Sequence, residues 1–469
     1  MENIAGRKDE IALLESLKTA QQSAFVAVYG RRRVGKTYLI RTVFENQFCF
    51  HTTGLANVGS RRQLANFQAA MVKYFPEMKG KKASKNWFDS FLTLSECLEN
   101  DQRPRKIIFL DELPWFDTAQ AGFISALEHF WNSFASARRD IVLITCGSAA
   151  AWMVNNLINN HGGLHNRVTH RIRLQPFTLA ECEAFFSLKN IVLDRYQLVQ
   201  LYMVMGGIPF YLEQVKQGLS AAQNIDNLCF TEDGLLRKEF DNLYPSLFKK
   251  SEKHLAIVEA LAKKAKGMTR NELLEATKLT DSGMVSRILR ELEESNFIRR
   301  YNAFGNKQNN GIFQLCDFYS LFYLRFIKGS SSNDQNNWSN SLDHPSIRAW
   351  SGYAFEQVCL AHIPAIKKAL GISGVQTQTS AWQGKGAQID LVIDRRDHVI
   401  NLCEMKFSLN LFSIDKAYDA ELRRKVAAFR EQTDTNKALF VTMVTTFGLQ
   451  QNAYSGSIVN NDLTMAVLF

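Results

Sequence analysis

The sequence predicts an α/β protein with more than one domain. Short apolar runs alternate with helical stretches over residues 1–180, a glycine-rich motif separates the first run from the helix after it, and a second alternating pattern fills residues 346–469. Continuous apolar strands separated by helices are typical of a parallel sheet that is buried on both faces. At roughly 100–200 residues per domain, the 469 residues correspond to two to four domains.

The composition is that of a folded protein. Hydrophobic residues make up 46% of the chain and charged residues 22%, which argues against the disordered and fibrous classes. No apolar run approaches the roughly 18 residues that cross a bilayer, and the N-terminal segment lacks the apolar stretch of a signal peptide. We therefore expect a cytoplasmic protein without membrane contact. The eight cysteines are isolated along the chain, which disfavours a zinc site or a disulfide framework.

The charge balance of the chain is basic. The 56 lysines and arginines outnumber the 46 aspartates and glutamates, which gives a formal net charge of +10. A basic surface attracts polyanions. We therefore expect nucleic acid, DNA before RNA, among the partners of this protein.

The first apolar run, Ala24–Tyr29, leads directly into a motif of the form GxxxxGK[ST], and a helical pattern follows. This order of strand, loop and helix is the context that a phosphate-binding loop requires. The glycines allow backbone N–H groups to surround the phosphates, the lysine reaches the β- and γ-phosphates, and the threonine hydroxyl binds Mg²⁺. The motif therefore predicts a nucleoside triphosphate site. Its residues are Gly30, Arg31, Arg32, Arg33, Val34, Gly35, Lys36 and Thr37.

Two further apolar runs end in polar residues. Residues 107–110 are followed by Asp111 and Glu112, and residues 141–144 are followed shortly by Ser148. Behind a phosphate-binding loop, Asp111 is expected to hold Mg²⁺ through water, and Glu112 to orient and deprotonate the attacking water. Ser148 is a candidate for sensing the γ-phosphate from the neighbouring strand, and an ordinary strand-end turn residue is the equal alternative.

Several short motifs accompany the loop. They are Gly6-Arg7-x-x-Glu10, Asp111-Glu112-Leu113-Pro114-Trp115, Cys146-Gly147-Ser148, Gly162-Gly163-Leu164-His165-Asn166-Arg167, Gln175-Pro176-Phe177 and Gly206-Gly207-Ile208-Pro209. With these motifs the sequence resembles the AAA+/STAND-type ATPases of archaea and Bacteroides-type bacteria, whose C-terminal module is a restriction-endonuclease-like domain. The resemblance covers nearly the whole chain.

The resemblance implies an AAA+-like core that binds and hydrolyses ATP with Mg²⁺. It implies a base pocket lined by Gly6-Arg7 and by Gly207-Ile208-Pro209, which adds Pro209 to the nucleotide-binding residues. By the same resemblance, Arg167 is the candidate arginine that senses or neutralises the γ-phosphate, and Arg171 is an alternative. A basic surface loop explains both arginines equally well. Because many AAA+ proteins form rings, a homo-oligomer that assembles on ATP binding is also expected.

The pattern changes again in the segment that follows residue 245. A short helix at 271–276, a turn, a helix at 282–295 with one apolar face, and a hairpin formed by 297–301 and 311–315 have the layout of a winged helix.

Arginines mark the predicted winged helix. Arg287 and Arg290 lie on its second helix, and Arg299 and Arg300 begin its hairpin. Such a helix can lie in a major groove of DNA. However, three glutamates, of which Glu291 is the first, crowd the end of the helix and would repel phosphates. A module for packing between domains is the alternative.

Two predicted strands near the C-terminus carry acids and a lysine. Asp390 lies in the first strand, and Glu404 and Lys406 share one face of the second because side chains alternate along a strand. Glu356 lies in a helix upstream. This set resembles the PD-(D/E)xK nuclease superfamily, which implies that Asp390 and Glu404 hold Mg²⁺ while Lys406 activates water or neutralises the transition state. A solvated acidic edge with a salt-bridging lysine is the alternative.

Together these patterns predict five segments: a P-loop ATPase core (1–180), a helical lid (181–245), a winged-helix domain (246–328), a linker (329–345) and a restriction-endonuclease-like α/β domain (346–469). The leading hypothesis is an ATPase whose nucleotide state controls a metal-dependent nuclease. The alternative is a non-cleaving regulatory ATPase whose C-terminal domain only binds nucleic acid or a protein partner. The catalytic residues of the leading hypothesis are Glu112, Glu356, Asp390, Glu404 and Lys406.

Overall fold

The computed structural model describes residues 4–159, 162–248, 250–305, 311–330, 337–384 and 386–469. Two compact units make up the chain, Met1–Pro176 and Phe177–Phe469. The finer division into five segments stays a prediction. Residues 331–336 of the predicted linker and 306–310 of the predicted hairpin loop lie outside the described residues. No helix in the described part of the chain is long and apolar enough to cross a membrane.

The first unit is built on a parallel sheet, as the sequence predicts. Its strands are β1 Ala24–Tyr29, β2 Phe50–Thr53, β3 Lys106–Asp111, β4 Ile141–Gly147 and β5 His170–Arg173. They are hydrogen-bonded in the order β2-β3-β4-β1-β5, and all neighbours are parallel. Every residue of β3 and β4 is buried, which explains their unbroken apolar runs. Because β4 lies between β1 and β3, the polar residues that follow these three strands lie at one edge of the sheet.

Helices and aromatic side chains cover this sheet. The helices are α1 Lys8–Thr19, α2 Lys36–Val43, α3 Ser60–Tyr74, α4 Trp87–Asn100, α5 Phe123–Phe130 and α6 Ala150–Met153. The side chain of Asn86 caps α4 by accepting a hydrogen bond from the N–H of Asp89. Trp87 is 1% exposed, and its ring centroid lies 4.9 Å from that of Phe123. This apolar packing holds the strands, and with them the strand ends, in fixed positions.

The second unit opens with a helical stretch, in agreement with the strand-free sequence pattern there. Its helices are α7 Leu179–Leu188, α8 Arg195–Met205, α9 Pro209–Leu212, α10 Ala221–Ile225 and α11 Leu235–Leu243. A capping box begins α7, in which the hydroxyl of Thr178 accepts from the N–H of Glu181 and the carboxylate of Glu181 accepts from the N–H of Thr178.

Three helices and a small sheet follow. They are α12 Glu252–Ala262, β6 Met268–Thr269, α13 Arg270–Thr277, α14 Gly283–Glu294, β7 Ile298–Tyr301 and β8 Ile312–Leu315. The sheet is antiparallel, in the order β6-β8-β7. Helix α14 buries Val285, Ile288, Leu289 and Leu292, the apolar face that the sequence periodicity predicts.

A mixed sheet forms the C-terminal part of the second unit. Its strands are β9 Thr377–Gly384, β10 Ala387–Arg395, β11 Val399–Lys406, β12 Ala438–Thr445 and β13 Val459–Thr464. In the order β13-β12-β11-β10-β9, the pairs within β9–β11 are antiparallel and those within β11–β13 are parallel. The register of β9 against β10 shifts between Ile389 and Val392, beside Asp390. The remaining helices of this unit are α15 Phe318–Phe322, α16 Asn337–Asn340, α17 Pro345–Ala361, α18 Ile363–Ala369, α19 Lys416–Thr433 and α20 Ser455–Ile458.

Candidate functional site

The phosphate-binding loop joins β1 to α2 through two glycines with positive φ. Gly30 has a φ of 145°, and a Cβ at this position would lie 2.3 Å from the carbonyl oxygen of Leu174. Gly35, with a φ of 89°, stands at the N-cap of α2 in the left-handed region. A side chain at either position would be strained, so the loop conformation requires glycine at both. Between these glycines, Arg31 and Val34 are buried, and Arg32 and Arg33 are half-buried.

Lys36 lies inside this loop. It is 5% exposed, and its Nζ donates hydrogen bonds to the carbonyl oxygens of Gly30 at 3.0 Å and Arg31 at 2.9 Å. Burial lowers the pKa of Lys36, and the carboxylates of Asp111 and Glu112 oppose this shift. The ammonium group is therefore placed between the loop backbone and the acids that follow β3.

Thr37 and Asp111 form the point at which the loop and the acidic strand meet. The Oγ1 of Thr37 donates to the Asp111 carboxylate and lies 3.1 Å from Oδ2 and 3.2 Å from Oδ1. Asp111 is 4% exposed; burial, followed by repulsion from Glu112, raises its pKa. A hydroxyl and a carboxylate that face each other fit Mg²⁺, which in nucleotide sites takes one or two protein oxygens and completes its shell with water and phosphate.

Glu112 is held by the end of the neighbouring strand. Its carboxylate accepts hydrogen bonds from the Oγ of Ser148 at 2.7 Å and from the N–H of Ser148 at 3.3 Å. The backbone of Glu112 is left-handed, with a φ of 47°, a conformation that costs a non-glycine residue on the order of 1 kcal/mol. The predicted residues that the structure brings together at this edge are Lys36, Thr37, Asp111, Glu112 and Ser148.

Arginines around the loop have different environments. Arg7 is 6% exposed, and its Nη2 donates to the carbonyl oxygens of Gln175 at 2.5 Å and Val34 at 3.5 Å. Arg7 thereby connects the N-terminal motif to the loop. Arg167 and Arg171 are both exposed, and Arg171 lies on β5 beside the strand that leads into the loop. Exposure does not rank these two, so the choice of γ-phosphate arginine stays open.

Pro209 begins α9 in the second unit. Close backbone packing explains the two glycines before it. Gly206 has a φ of 58°, and a Cβ on Gly207 would lie 1.8 Å from the carbonyl oxygen of Phe177. The N–H of Phe177 donates to the carbonyl oxygen of Gly207 at 2.6 Å. These glycines have a structural reason, and the contact of Pro209 with a nucleotide base stays a prediction.

The second unit contains a cavity of about 340 Å³ that is lined by residues of several elements. Glu356 of α17 and Asp390 of β10 line it, together with Arg299 and Tyr301 of β7. Burial raises the pKa of Glu356 to about 8; the charge of Asp390 adds to the shift, and Arg299 opposes it. Two of the predicted acids are therefore neighbours, and a strongly shifted carboxyl group in a cavity is typical of functional sites.

Glu404 lies on the strand next to Asp390. Leu391 pairs with Cys403 across β10 and β11, so the next residues in this register, Asp390 and Glu404, stand side by side. Glu404 is 3% exposed and accepts from the Nζ of Lys425 at 2.8 and 2.9 Å. Burial alone would lower the pKa of Lys425, but attraction and hydrogen bonding to Glu404 outweigh burial and raise it. Burial also raises the pKa of Glu404, and Lys425 opposes that shift, so the two form an ion pair in which Glu404 is buried and Lys425 half-buried.

The predicted metal ligands are only partly assembled. Among the residues that the structure describes, no group of three or more His, Cys, Asp and Glu side chains is arranged to hold a metal ion. A cation at Asp390 and Glu404 requires Lys425 to release Glu404. Lys406 is half-buried at the end of β11, with its Nζ 5.0 Å from the ring centroid of Tyr418.

Two contacts in the second unit were not predicted from the sequence. Lys425 lies 21 residues after Glu404, on α19, and no spacing rule connects a helix position with a strand at that distance. Arg299 lies on β7, in the hairpin where it was expected, and it also donates through Nη2 to the side chain of Gln357 on α17. Long-range packing decides both contacts, and neither has a local sequence signal.

The other arginines of the predicted winged helix face solvent. Arg287 is 67% exposed in its side chain, and Arg290 is also exposed. Glu291, which was expected to repel phosphates, has cationic and polar neighbours of its own. Its Oε2 lies 2.7 Å from the Nε2 of His254, and its Oε1 lies 3.7 Å from the Nε of Arg287.

The fold and the loop together define a P-loop NTPase core: a parallel α/β sheet with Lys36 in the loop and Thr37 paired with Asp111. Residues 4–215 match a family model described as an ATPase domain predominantly from Archaea. This segment is therefore similar to ATPase domains of the archaeal type.

Comparisons extend beyond that domain. An uncharacterised protein of Methanocaldococcus jannaschii is 26% identical over 392 residues, which cover 82% of this chain and 83% of that protein. A Walker-type ATPase of Pyrococcus abyssi has a TM-score of 0.49 at 17% identity, over 69% of this chain and 97% of that one. The ORC2 protein of Aeropyrum pernix has a TM-score of 0.43 at 13% identity, over 72% of this chain and 96% of that one.

Proposed function

We propose that this protein is an ATP-dependent switch in which ATP binding and hydrolysis by the first unit govern the action of the second unit on nucleic acid. The observation that carries the proposal is the joined pair of contacts at the edge of the sheet, Thr37 with Asp111 and Glu112 with Ser148. These contacts place an oxygen pair for a cation beside a carboxylate that can take a proton from water.

Each residue of that edge has a role in the proposed hydrolysis. Lys36 binds the β- and γ-phosphates, and Thr37 with Asp111 holds Mg²⁺. Bound Mg²⁺ neutralises charge on the phosphates. Glu112 orients the attacking water and takes its proton, and Ser148 fixes the position of Glu112. Arg167 or Arg171 is the arginine that contacts the γ-phosphate.

For the second unit we propose a winged helix in residues 246–328 and a nuclease-like domain in residues 346–469. The cavity that joins Glu356 and Asp390 supports this proposal, because carboxylates held together against their mutual repulsion are suited to a divalent cation. Asp390 and Glu404 would hold Mg²⁺, and Lys406 would assist the attack of water on a phosphodiester.

A cleavage assay tests the whole proposal. Plasmid, linear DNA and RNA are incubated with the full chain, Mg²⁺ or Mn²⁺, and with or without ATP. We expect the parent to cleave nucleic acid and Asp390→Ala to lose this activity. In Lys36→Ala, ATP should no longer change the rate of cleavage. Asp394→Ala is the matched control, because Asp394 lies on the same strand and is bonded to Lys437 at 2.6 Å. Cleavage that persists in Asp390→Ala would exclude this site.

A regulatory ATPase without cleavage is the second candidate. The buried pair of Glu404 and Lys425 favours it, because an ammonium group already satisfies the carboxylate that a metal would need. Under this function the parent binds nucleic acid in a nucleotide-dependent manner but cleaves none of the three substrates with either metal. The same assay, followed by a binding measurement, therefore separates the two candidates.

A further inference from the structure

The cavity in the second unit has a wall of mixed charge. Glu356 and Asp390 line one part of it, from α17 and β10. Arg299 of β7 and Lys266, which precedes β6, line another part. The small antiparallel sheet, which belongs to the predicted winged helix, therefore contributes cationic residues to the cavity that holds the predicted nuclease acids.

The direction of Arg299 is fixed by two glutamines. Its Nε and Nη2 donate to the Oε1 of Gln314 at 2.9 and 2.7 Å, and its Nη2 also donates to the Oε1 of Gln357. The amide of Gln314 in turn donates to the carbonyl oxygen of Ala265 at 2.5 Å. Because side chains alternate along a strand, the neighbouring Arg300 points to the opposite face of β7. One arginine of this pair is thus positioned for the cavity and the other is not.

The loop that carries Lys266 is tied to the same strand. The hydroxyl of Tyr301, two residues after Arg299 and on the same face, donates to the carbonyl oxygen of Lys266 at 2.6 Å. Tyr301 also lines the cavity. The strand therefore holds both the guanidinium group and the exposed Lys266 at the rim of one space.

This arrangement suits a phosphate group. Because the two glutamines hold Nε and Nη2 of Arg299, Nη1 is the group that would donate to a phosphate oxygen, and a lysine adds a mobile positive charge. The positive charge of Arg299 also acts on Glu356, where it opposes the rise in pKa that Asp390 causes. A space of about 340 Å³ is near the lower end of the range of about 300–1,000 Å³ that small-ligand sites occupy, so it takes a short part of a strand.

We propose that Arg299 and Lys266 bind a phosphodiester of a nucleic-acid strand in this cavity, which Glu356 and Asp390 also line. The inference rests on the proposed action of the second unit on nucleic acid and adds to it that the small sheet and the loop before it form part of the site. Phosphodiesters occur in DNA and RNA alike, and the binding assay distinguishes these sources.

Binding of labelled single-stranded DNA and RNA oligonucleotides of the same sequence to the full chain, in EDTA and over a series of salt concentrations, tests this assignment. Arg299→Gln is expected to weaken binding about tenfold and to lower the slope of log affinity against log salt by about 0.7, the value for one lost phosphate contact on a single strand. Arg299→Lys should restore the slope but not the full affinity. Lys266→Gln, at an exposed position, should lower the slope in the same way and provides a second variant if Arg299→Gln does not fold.

Arg300→Gln removes the same charge from the other face of β7 and serves as the matched control. Equal losses in Arg300→Gln and Arg299→Gln, or parental affinity and slope in both Arg299→Gln and Lys266→Gln, would overturn the inference while leaving nucleic-acid binding in place. A parent that binds neither DNA nor RNA would instead overturn the proposed function together with the inference. Binding of RNA alone would identify RNA as the source of the phosphodiester, and binding of DNA alone would identify DNA.

Discussion

Ser148 holds both carboxylate oxygens of Glu112, through its Oγ at 2.7 Å from Oε1 and its N–H at 3.3 Å from Oε2. The two residues follow adjacent strands, β4 and β3. A carboxylate that is fixed in this way cannot rotate freely, so its orientation depends on the end of β4. Strand β4 also borders β1, which leads into the phosphate-binding loop. The positions of the proposed base and of the proposed phosphate site therefore both depend on β4.

Replacement of Ser148 by alanine tests this support. Ser148→Ala removes the stronger hydrogen bond and leaves the backbone N–H in place. A hydrogen bond to a charged group contributes about 1.5–3 kcal/mol, so we expect ATP hydrolysis to slow by roughly tenfold or more while ATP affinity stays close to that of the parent. Steady-state turnover and calorimetric ATP binding measure the two quantities. Ser148→Thr retains the hydroxyl and should restore turnover, and an unchanged rate in Ser148→Ala would remove Ser148 from the proposed mechanism.

Glu112→Gln separates binding from hydrolysis. The amide has the shape of the carboxylate but cannot take a proton from water, and loss of a general base typically slows a reaction by about 10²–10⁴-fold. ATP binding should be retained, because Lys36 and Thr37 are unchanged. If single-turnover hydrolysis proceeds at the parental rate, the water-activating role moves to Asp111, the neighbouring acid.

Lys425→Met isolates the buried ion pair. In this variant the Glu404 carboxylate, whose side chain is 4% exposed, loses the ammonium group of Lys425. Removal of one member of a buried ion pair destabilises proteins by about 3–5 kcal/mol. The double variant with Glu404→Gln should recover much of this loss. Lys437→Met is the control: its ion pair with Asp394 is more exposed, at 28% and 27%, and such pairs contribute about 1 kcal/mol or less. Denaturant unfolding of the full chain compares these three variants with the parent. A small effect of Lys425→Met, equal to that of the control, would contradict the assignment of a buried pair.

The raised pKa of Glu356 predicts a pH-dependent stability. Its pKa is about 8 in the folded protein and 4.5 as the ordinary value, so between these pH values the folded state holds a proton that the unfolded state releases. The free energy of unfolding therefore falls as pH rises through this window, by up to about 1.4 kcal/mol per pH unit. Glu356→Gln cannot ionise and should be more stable than the parent near pH 8 in EDTA, with little difference near pH 5. Thermal unfolding at both pH values measures this, and parallel decreases in parent and variant would contradict it.

Much of the first unit could be predicted because its signals are local. The loop from Gly30 to Thr37 is contiguous, and the strand that ends at Asp111 is an unbroken apolar run, so both stand out without knowledge of the fold. For Ser148, the sequence predicted a position on a strand near the phosphate site but not the hydrogen bond to Glu112. That hydrogen bond depends on β3 and β4 being adjacent, which the sequence does not encode locally.

In the second unit, some contacts of the candidate site depend on long-range packing and have no local sequence signal. The acids Glu356 and Asp390 were expected together because of the resemblance to the nuclease superfamily, and both line one cavity. The partner of Glu404 was not expected, because Lys425 approaches from a helix whose packing on the sheet sets the contact. Arg299 was expected in a hairpin and lies there, paired with Gln314 of β8, but its contact with Gln357 of α17 had no local signal.

The close approach of Gly30 to Leu174 has a mechanical consequence. A single methyl group on Gly30 would lie 2.3 Å from the carbonyl oxygen of Leu174, which is two residues before the chain leaves the first unit at Pro176. Arg7 ties the intervening Gln175 to the same neighbourhood through its carbonyl oxygen. The backbone of the phosphate-binding loop and the exit segment of the chain are therefore in hard contact, and any shift of the loop toward that segment must push it. A substitution that adds a side chain at Gly30 would therefore meet the backbone of the exit segment directly.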